Sequence, residues 1–439
     1  MGLRTKSVSI FLLIIAPVLC VAAKSANAQI NITLPLNPAT TRHRTVPMST
    51  EYGSIFAQPD GFPISDFGIY IGATKNSVKL NPDAIKGHYS HFNHFGPGDE
   101  GIGFPYTELR DYEASEVQAG RPPIFVTATY QGKKRPVLFQ GYLHLDATGK
   151  PTAPESEWVY AVNTQDARFI NFWITKYARP VVLEPMANLK NAWVYLDGCQ
   201  FDYTVYGVLD DNGYFVPGIA WDAPFPSNAV DYLKSITFFF DHVKQSAPDI
   251  NMMADTGGLS DPTRFSRIYA NVPGLLTENI YGWATSPDPV TLTALYQHII
   301  PWFSWASRQE KVTVFGAFLP SNYEDGPLLT SFVFYEILKG FNSFFAPRVG
   351  GTALPESAGW LGWTAKLGDP VSAFQSKQQP GAQPGNRLFW RVYTNGYVYL
   401  NWTGITQTVI LPTGSWFDPQ GNQVSTLTIP TWTGSFVNK

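Results

Sequence analysis

The feature that most limits what this chain can fold into is a long alternation of short β-branched or aromatic runs with longer amphipathic ones. Such alternation marks βα units, in which each helix carries the chain back and lays the next strand parallel to the last. The strands read as His88–Asn93, Pro123–Tyr130, Glu157–Asn163, Ala192–Asp197, Ile250–Ala254, Gly274–Glu278, Lys311–Phe318 and Ser343–Ala346. Helices read as Tyr106–Ala119, Ala167–Tyr177, Asn228–Gln245, Pro262–Ala270, Pro289–Arg308 and Pro327–Lys339, and a hairpin-like stretch covers Arg135–Asp146. The expected fold class is therefore α/β, a (β/α)8 TIM barrel over residues 51–350.

Beyond Arg348 the texture changes. Residues 351–384 read as a linker region ending in the Gln/Pro/Gly stretch Gln378–Pro384. Residues 385–439 carry strand-like runs at Leu388–Tyr393, Tyr397–Trp402, Gln407–Leu411 and Leu427–Ile429. Turn signals at Asn395-Gly396, Asp418-Pro419 and Gln420-Gly421-Asn422 separate them, as in a small antiparallel β domain.

The beginning of the chain reads as an export signal. Arg4 and Lys6 precede the apolar run Ile10–Ala23, and Ala26-Asn27-Ala28 has the small-x-small pattern of a cleavage site. Residues 1–28 are then a signal peptide and 29–50 an extended lead-in, which implies a secreted or periplasmic protein. No later stretch is long enough to span a bilayer. Cys20 lies in the leader behind Pro17-Val18-Leu19, a poor lipidation context, so Cys199 would be the single cysteine of the mature chain and no internal disulfide can form. A net charge of −3 and the absence of a Lys/Arg cluster argue against a nucleic-acid partner. The 13 Trp, 22 Tyr and 30 Phe suit stacking against sugar rings, but an aromatic core would look the same. Oligomeric state is not legible. Asn31-Ile32-Thr33 and Asn401-Trp402-Thr403 are sequons for a host that glycosylates.

Barrel enzymes carry their reactive groups at the C-terminal ends of the strands. Two predicted strands end in a carboxylate: Val194-Tyr195-Leu196-Asp197-Gly198 and Leu275-Leu276-Thr277-Glu278-Asn279. Glycosidic bond cleavage needs one carboxylate at the anomeric carbon and one carboxylic acid at the leaving oxygen. On the fourth and sixth strands the two backbones stand roughly 10 Å apart. Inward side chains converge from there, and a carboxyl separation near ~5.5 Å favours retention, with inversion left open. Asp202 and Asp255 are candidates for substrate contact, as are His91 and Asn93 at the end of the first strand. Tyr281 and Trp283 are candidates for stacking, with core packing an equal reading for both. A metal site at His88, His91 and His94 is not supported, because on a strand His91 faces away from the other two. No cofactor is implied.

These residues together resemble a known family. The order strand-Asp-Gly (Val194–Gly198), Met252–Gly258 and Gly274–Asn279 resembles the glycosyl-hydrolase-like family 15, barrels distantly related to α-galactosidase-type and polygalactosaminidase-type enzymes. Trp390–Asn401, with the later Leu411, Asp418, Gly421 and Leu427, looks like that family's β domain. The resemblance implies Asp197 as nucleophile or base and Glu278 as general acid. It departs at Asp255-Thr256-Gly257-Gly258, where the family tends to show Asn-Gly-Gly. The sequence therefore points to an exported glycoside hydrolase acting on an oligo- or polysaccharide. The alternatives are a carbohydrate-binding barrel without catalysis and a surface protein that binds through its β domain.

Overall fold

The computed structural model describes residues 69–71, 85–185, 191–197, 199, 203–226, 228–256, 266–277, 293, 295–319, 325–340, 342–349, 352–353 and 365–439. Its frame is an eight-stranded sheet whose strands follow one another in chain order. Ile69–Ile71 pairs with Ile85–Ser90, and that strand pairs with Ala192–Leu196. Met252–Asp255, Gly274–Thr277, Val312–Leu319 and Ser343–Val349 follow, every pairing parallel. Thr352–Ala353 adds one antiparallel strand at the far edge. A parallel sheet wound in one direction with helices between its strands belongs to the (β/α)-barrel class. No pairing between its first and last strands occurs among the described residues.

Local sequence explains these elements. Trp193, Val194, Tyr195 and Leu196 are all buried, as expected of a parallel strand covered on both faces. The helix Ala229–Ser246 begins where the Asn228 side chain accepts the Asp231 N–H at 3.0 Å. Tyr232, Ile236, Phe239, Phe240 and Val243 then recur at helical spacing and are buried.

Two stretches read above as barrel strands lie elsewhere. Thr127–Tyr130 forms a hairpin with Lys133–Pro136, closed by Gln131 at φ 52° and Gly132 at φ 74°. Positive φ at both turn residues is what a two-residue hairpin of that hand requires. Tyr160–Ala161 joins a five-stranded antiparallel sheet with His94–Phe95, Leu138–Phe139, Tyr206–Leu209 and Phe215–Pro217. A short apolar run satisfies a parallel or an antiparallel neighbour equally well, so periodicity could not separate them. Ile85–Ser90 therefore pairs directly with Ala192–Leu196, and most of the intervening chain builds an insertion. Within the sheet the Asp197 strand stands third and the strand leading to Glu278 fifth, with the Asp255 strand between them.

The C-terminal β domain packs on the helix Asp325–Leu338 and closes that helix's exposed end. Arg391 Nη1 donates to the carbonyls of Lys339 at 2.7 Å, Glu336 at 3.2 Å and Ile337 at 3.3 Å. A cation on the last carbonyls of a helix satisfies groups that have no partner within it. Beside it the Tyr393 hydroxyl donates to Glu336 Oε2 at 2.6 Å, and Lys339 Nζ meets the same carboxylate at 2.7 Å. Gly434 lies so close that a Cβ there would stand 2.6 Å from Val333 Cβ. Gln375–Gln378, within the stretch read as linker, is the edge strand of this domain's sheet. Asn401 is fully buried, its Oδ1 accepts from Thr403, and its Nδ2 lies 2.9–3.0 Å from the carbonyls of Ile405, Ile429 and Pro430. A glycan at this sequon would displace those bonds, so the folded domain treats Asn401 as a core group. Asn31 lies outside the described residues.

Arg391→Ala and Gly434→Val should each lower the unfolding free energy by about 1–3 kcal/mol, the first by orphaning carbonyls and the second by overpacking. Chemical denaturation followed by tryptophan fluorescence checks this. Wild-type midpoints for both variants would mean that the β domain is not anchored through this seam.

Candidate active site

Register determines what stands at the C-terminal edge of the sheet. Ser90 pairs with Leu196, and Leu196 pairs with Ala254. One residue further on, Asp197 and Asp255 occupy equivalent positions on neighbouring strands. The Asp197 N–H donates to Ser90 O at 2.9 Å, which continues the ladder to that level. Residues paired across a parallel ladder share a face, and neighbouring strands are about 4.8 Å apart. The two carboxylates therefore project side by side. Asp197 is half-buried and Asp255 is buried.

One level below, Tyr89 and Tyr195 are themselves paired, with ring centroids 5.8 Å apart. Each reaches up and across to the next strand. The Tyr89 hydroxyl donates to Asp197 Oδ2, and the Tyr195 hydroxyl donates to Asp255 Oδ2 at 3.4 Å. Cys199 lies close to both carboxylates. Burial, then the charges of Asp255 and Asp197, push its thiol well up, so it is held neutral and unreactive.

His91 and Asn93 do not line an open surface; both are buried and look inward. Asn93 Nδ2 donates to the Tyr232 hydroxyl at 2.9 Å. His91 Nδ1 meets Asp99 Oδ1 at 3.1 Å, and its Nε2 lies 3.0 Å from the hydroxyls of both Tyr89 and Tyr142. His94 packs against it with ring centroids 4.4 Å apart, stacks on Phe139, and places Nδ1 at 3.0 Å from the Tyr206 hydroxyl. The insertion thus supplies Tyr142, Phe139 and Tyr206 to the surroundings of His91 and His94. Burial is the largest single influence on His91 and opposes its charge. The hydrogen bond and charge of Asp99, joined by the charge of Asp197, outweigh it and raise the pKa above 6.5. Burial and the charge of His91 hold His94 well below 6.5, so the two rings are driven in opposite directions.

Asp202, Glu278, Tyr281 and Trp283 lie outside the described residues. Of the candidates, Asp197, Asp255 and His91 come together, and Asn93 belongs to the adjoining Tyr232–Tyr206 cluster. Tyr89, Tyr195, Asp99 and Tyr142 were not singled out from the sequence. The first two had a signal: each stands two residues before His91 or Asp197 and so shares a strand face with it. Tyr142 had none, because its approach depends on how the insertion folds.

No protein-family model and no curated protein matches the chain, so the resemblance to glycosyl-hydrolase-like family 15 rests on its motifs alone. Among solved structures the chain is similar to an α-amylase from H. orenii at 11% identity, covering 91% of this chain and 99% of that one with a TM-score of 0.42. It is also similar to a family GH13_31 enzyme at 11% identity, covering 83% and 85% with a TM-score of 0.40. An Anoxybacillus α-amylase is similar at 12% identity, covering 83% and 78% with a TM-score of 0.39. Each is a likeness of general chain path.

His91 gives the site a pH signature. A folded-state pKa raised above the unfolded value contributes stability that is fully present below about pH 6.5 and is lost as pH rises through the folded pKa. The unfolding free energy of the wild type should therefore fall across that window, and His91→Gln should flatten the fall. A fall of equal size in both proteins would contradict the assignment of charge to His91.

Proposed function

We propose that this chain is an exported glycoside hydrolase that cleaves O-glycosidic bonds in an oligo- or polysaccharide with retention of configuration. The observation that carries the reading is the level shared by Asp197 and Asp255 at the C-terminal edge of the parallel sheet, each carboxylate held by a tyrosine hydroxyl from the preceding strand. Hydrolysis through an oxocarbenium-like centre needs carboxylates concentrated at one point, with an oriented anion facing the anomeric carbon. Asp197 suits that task because it is half-buried, within reach of a substrate, and oriented by Tyr89. Asp255 is buried beside it and suits a supporting role, adding negative field.

Glu278 is proposed as the general acid. It directly follows Thr277, the last residue of a strand two places along the sheet from Asp197. The negative field of the two aspartates would help such a group keep its proton. The resemblance to glycosyl-hydrolase-like family 15 implies the same two roles. Tyr281 and Trp283, three and five residues beyond Glu278, are proposed as stacking surfaces for the sugar, and Asp202 as a hydroxyl contact.

The test is a polysaccharide panel read as new reducing ends. On the substrate it identifies, Asp197→Asn should lose at least ~10³-fold in kcat. Glu278→Gln should lose about 10²–10⁴-fold on natural leaving groups but far less on activated aryl glycosides, which depart without protonation. Binding without new reducing ends would make the protein a carbohydrate-binding barrel instead. Loss of turnover in Asp255→Asn with full activity in Glu278→Gln would transfer the acid role to Asp255.

A further inference from the structure

Behind Asp197 runs a chain of buried and half-buried polar groups that bond cleavage itself does not use. Asp99 Oδ2 accepts the Gly96 N–H at 2.8 Å, which leaves Oδ1 against His91 Nδ1 at 3.1 Å. His91 Nε2 is 3.0 Å from two hydroxyl oxygens, one on the Asp197 side and one from the insertion. Tyr89, the nearer to the reaction, gives its own proton to Asp197. A charged imidazole donates from both nitrogens, whereas a neutral one donates from one and accepts at the other. The two tyrosines therefore address different forms of the same ring.

We propose that Asp99, His91 and Tyr89 form a relay that orients the Asp197 carboxylate, and that Tyr142 is the competing partner that takes over when His91 is neutral. In the charged state the ring is ion-paired with Asp99 through the Nδ1 side, Nε2–H is given to the Tyr89 oxygen, and the Tyr89 hydroxyl is given to Asp197. In the neutral state the remaining proton stays on Nδ1 against Asp99, and Nε2 accepts from the Tyr142 hydroxyl. Tyr89 then loses the donor that aligned it. All three relay members are positioning residues, since none of them reaches the reacting atoms. The role in catalysis rests on Asp197 being the reactive carboxylate, but the relay itself does not.

The groups facing His91 make it a two-state element. Asp99 and Asp197 favour the charged ring, while burial and the adjoining His94 ring oppose it. His94 is kept neutral by burial and by His91, and its Nδ1 is engaged by Tyr206. Phe95 packs alongside at 6.4 Å between ring centroids and brings no charge. Tyr89 and Tyr142 are the two hydroxyls that distinguish the two states.

The experiment is a ¹⁵N NMR titration of the His91 ring in the full chain, comparing wild type, Tyr89→Phe and Tyr142→Phe. Each change removes one hydroxyl and keeps the ring, so packing is preserved, and the same spectra report whether the fold is intact. Tyr89→Phe removes the acceptor of the charged ring and should lower the His91 pKa. Tyr142→Phe removes the donor to the neutral ring and should raise it. Shifts of the same sign, or no shift in either variant, would overturn the relay, because a merely structural role gives no reason for opposite signs. On a working substrate, Tyr89→Phe should lower kcat about tenfold with KM little changed. Tyr142→Phe should move the alkaline limb of the pH profile upward. Absence of turnover in the wild type would count against the hydrolase reading, while the titration would still decide the relay.

Discussion

Carboxylates brought to one level on neighbouring strands need donors and counter-charge, because buried anions are tolerated only when they are hydrogen-bonded and balanced. That requirement organises the whole upper end of this barrel. Register puts Asp197 next to Asp255, and the tyrosine pair one level down supplies a hydroxyl to each. Among the described residues His91, buried, faces them, and Asp99 beside it favours its charged form. Asp99 is in turn held by the Gly96 N–H in a loop that belongs to the insertion. The sheet and the insertion are thus one electrostatic unit.

The two additions to the barrel do different work. The insertion contributes an antiparallel sheet and brings Tyr142 and Tyr206 against the two histidines. Among the described residues, the contacts of the C-terminal domain named above lie elsewhere. Arg391, Tyr393 and Gly434 meet the helix Asp325–Leu338, far along the chain from Asp197, and their contacts are those of a stabilising clamp. Barrel strand ends tolerate loop variation while the remainder supplies stability.

How much of this could be read from the sequence depended on range. The helix at Asn228 was legible because cap and apolar spacing lie within a few residues of each other. Asp197 was legible because an apolar strand ending in a carboxylate and a glycine is a local pattern. Pro123–Tyr130 and Glu157–Asn163 were misplaced because strand length and composition do not record which neighbour a strand pairs with. His91 was read at the end of the first strand, but its burial was not legible. Its partner Asp99 is eight residues away in the short helical turn Pro97–Ile102, and Tyr142 reaches it from the insertion. The burial of Asn401 was likewise not legible, since its amide is consumed by carbonyls of residues that come later in the chain.

The account stands or falls on Asp197 as the reacting anion. Incubation with activated 2-deoxy-2-fluoro glycosides of the sugar that the protein cleaves, followed by peptide mass spectrometry, tests this directly, because a retaining nucleophile is trapped as a slowly hydrolysed glycosyl ester. The account predicts a single added fluoroglycosyl group on the peptide bearing Asp197, absent in Asp197→Asn. A label on Asp255 or Glu278, or continued turnover with no label on any carboxylate, would contradict it.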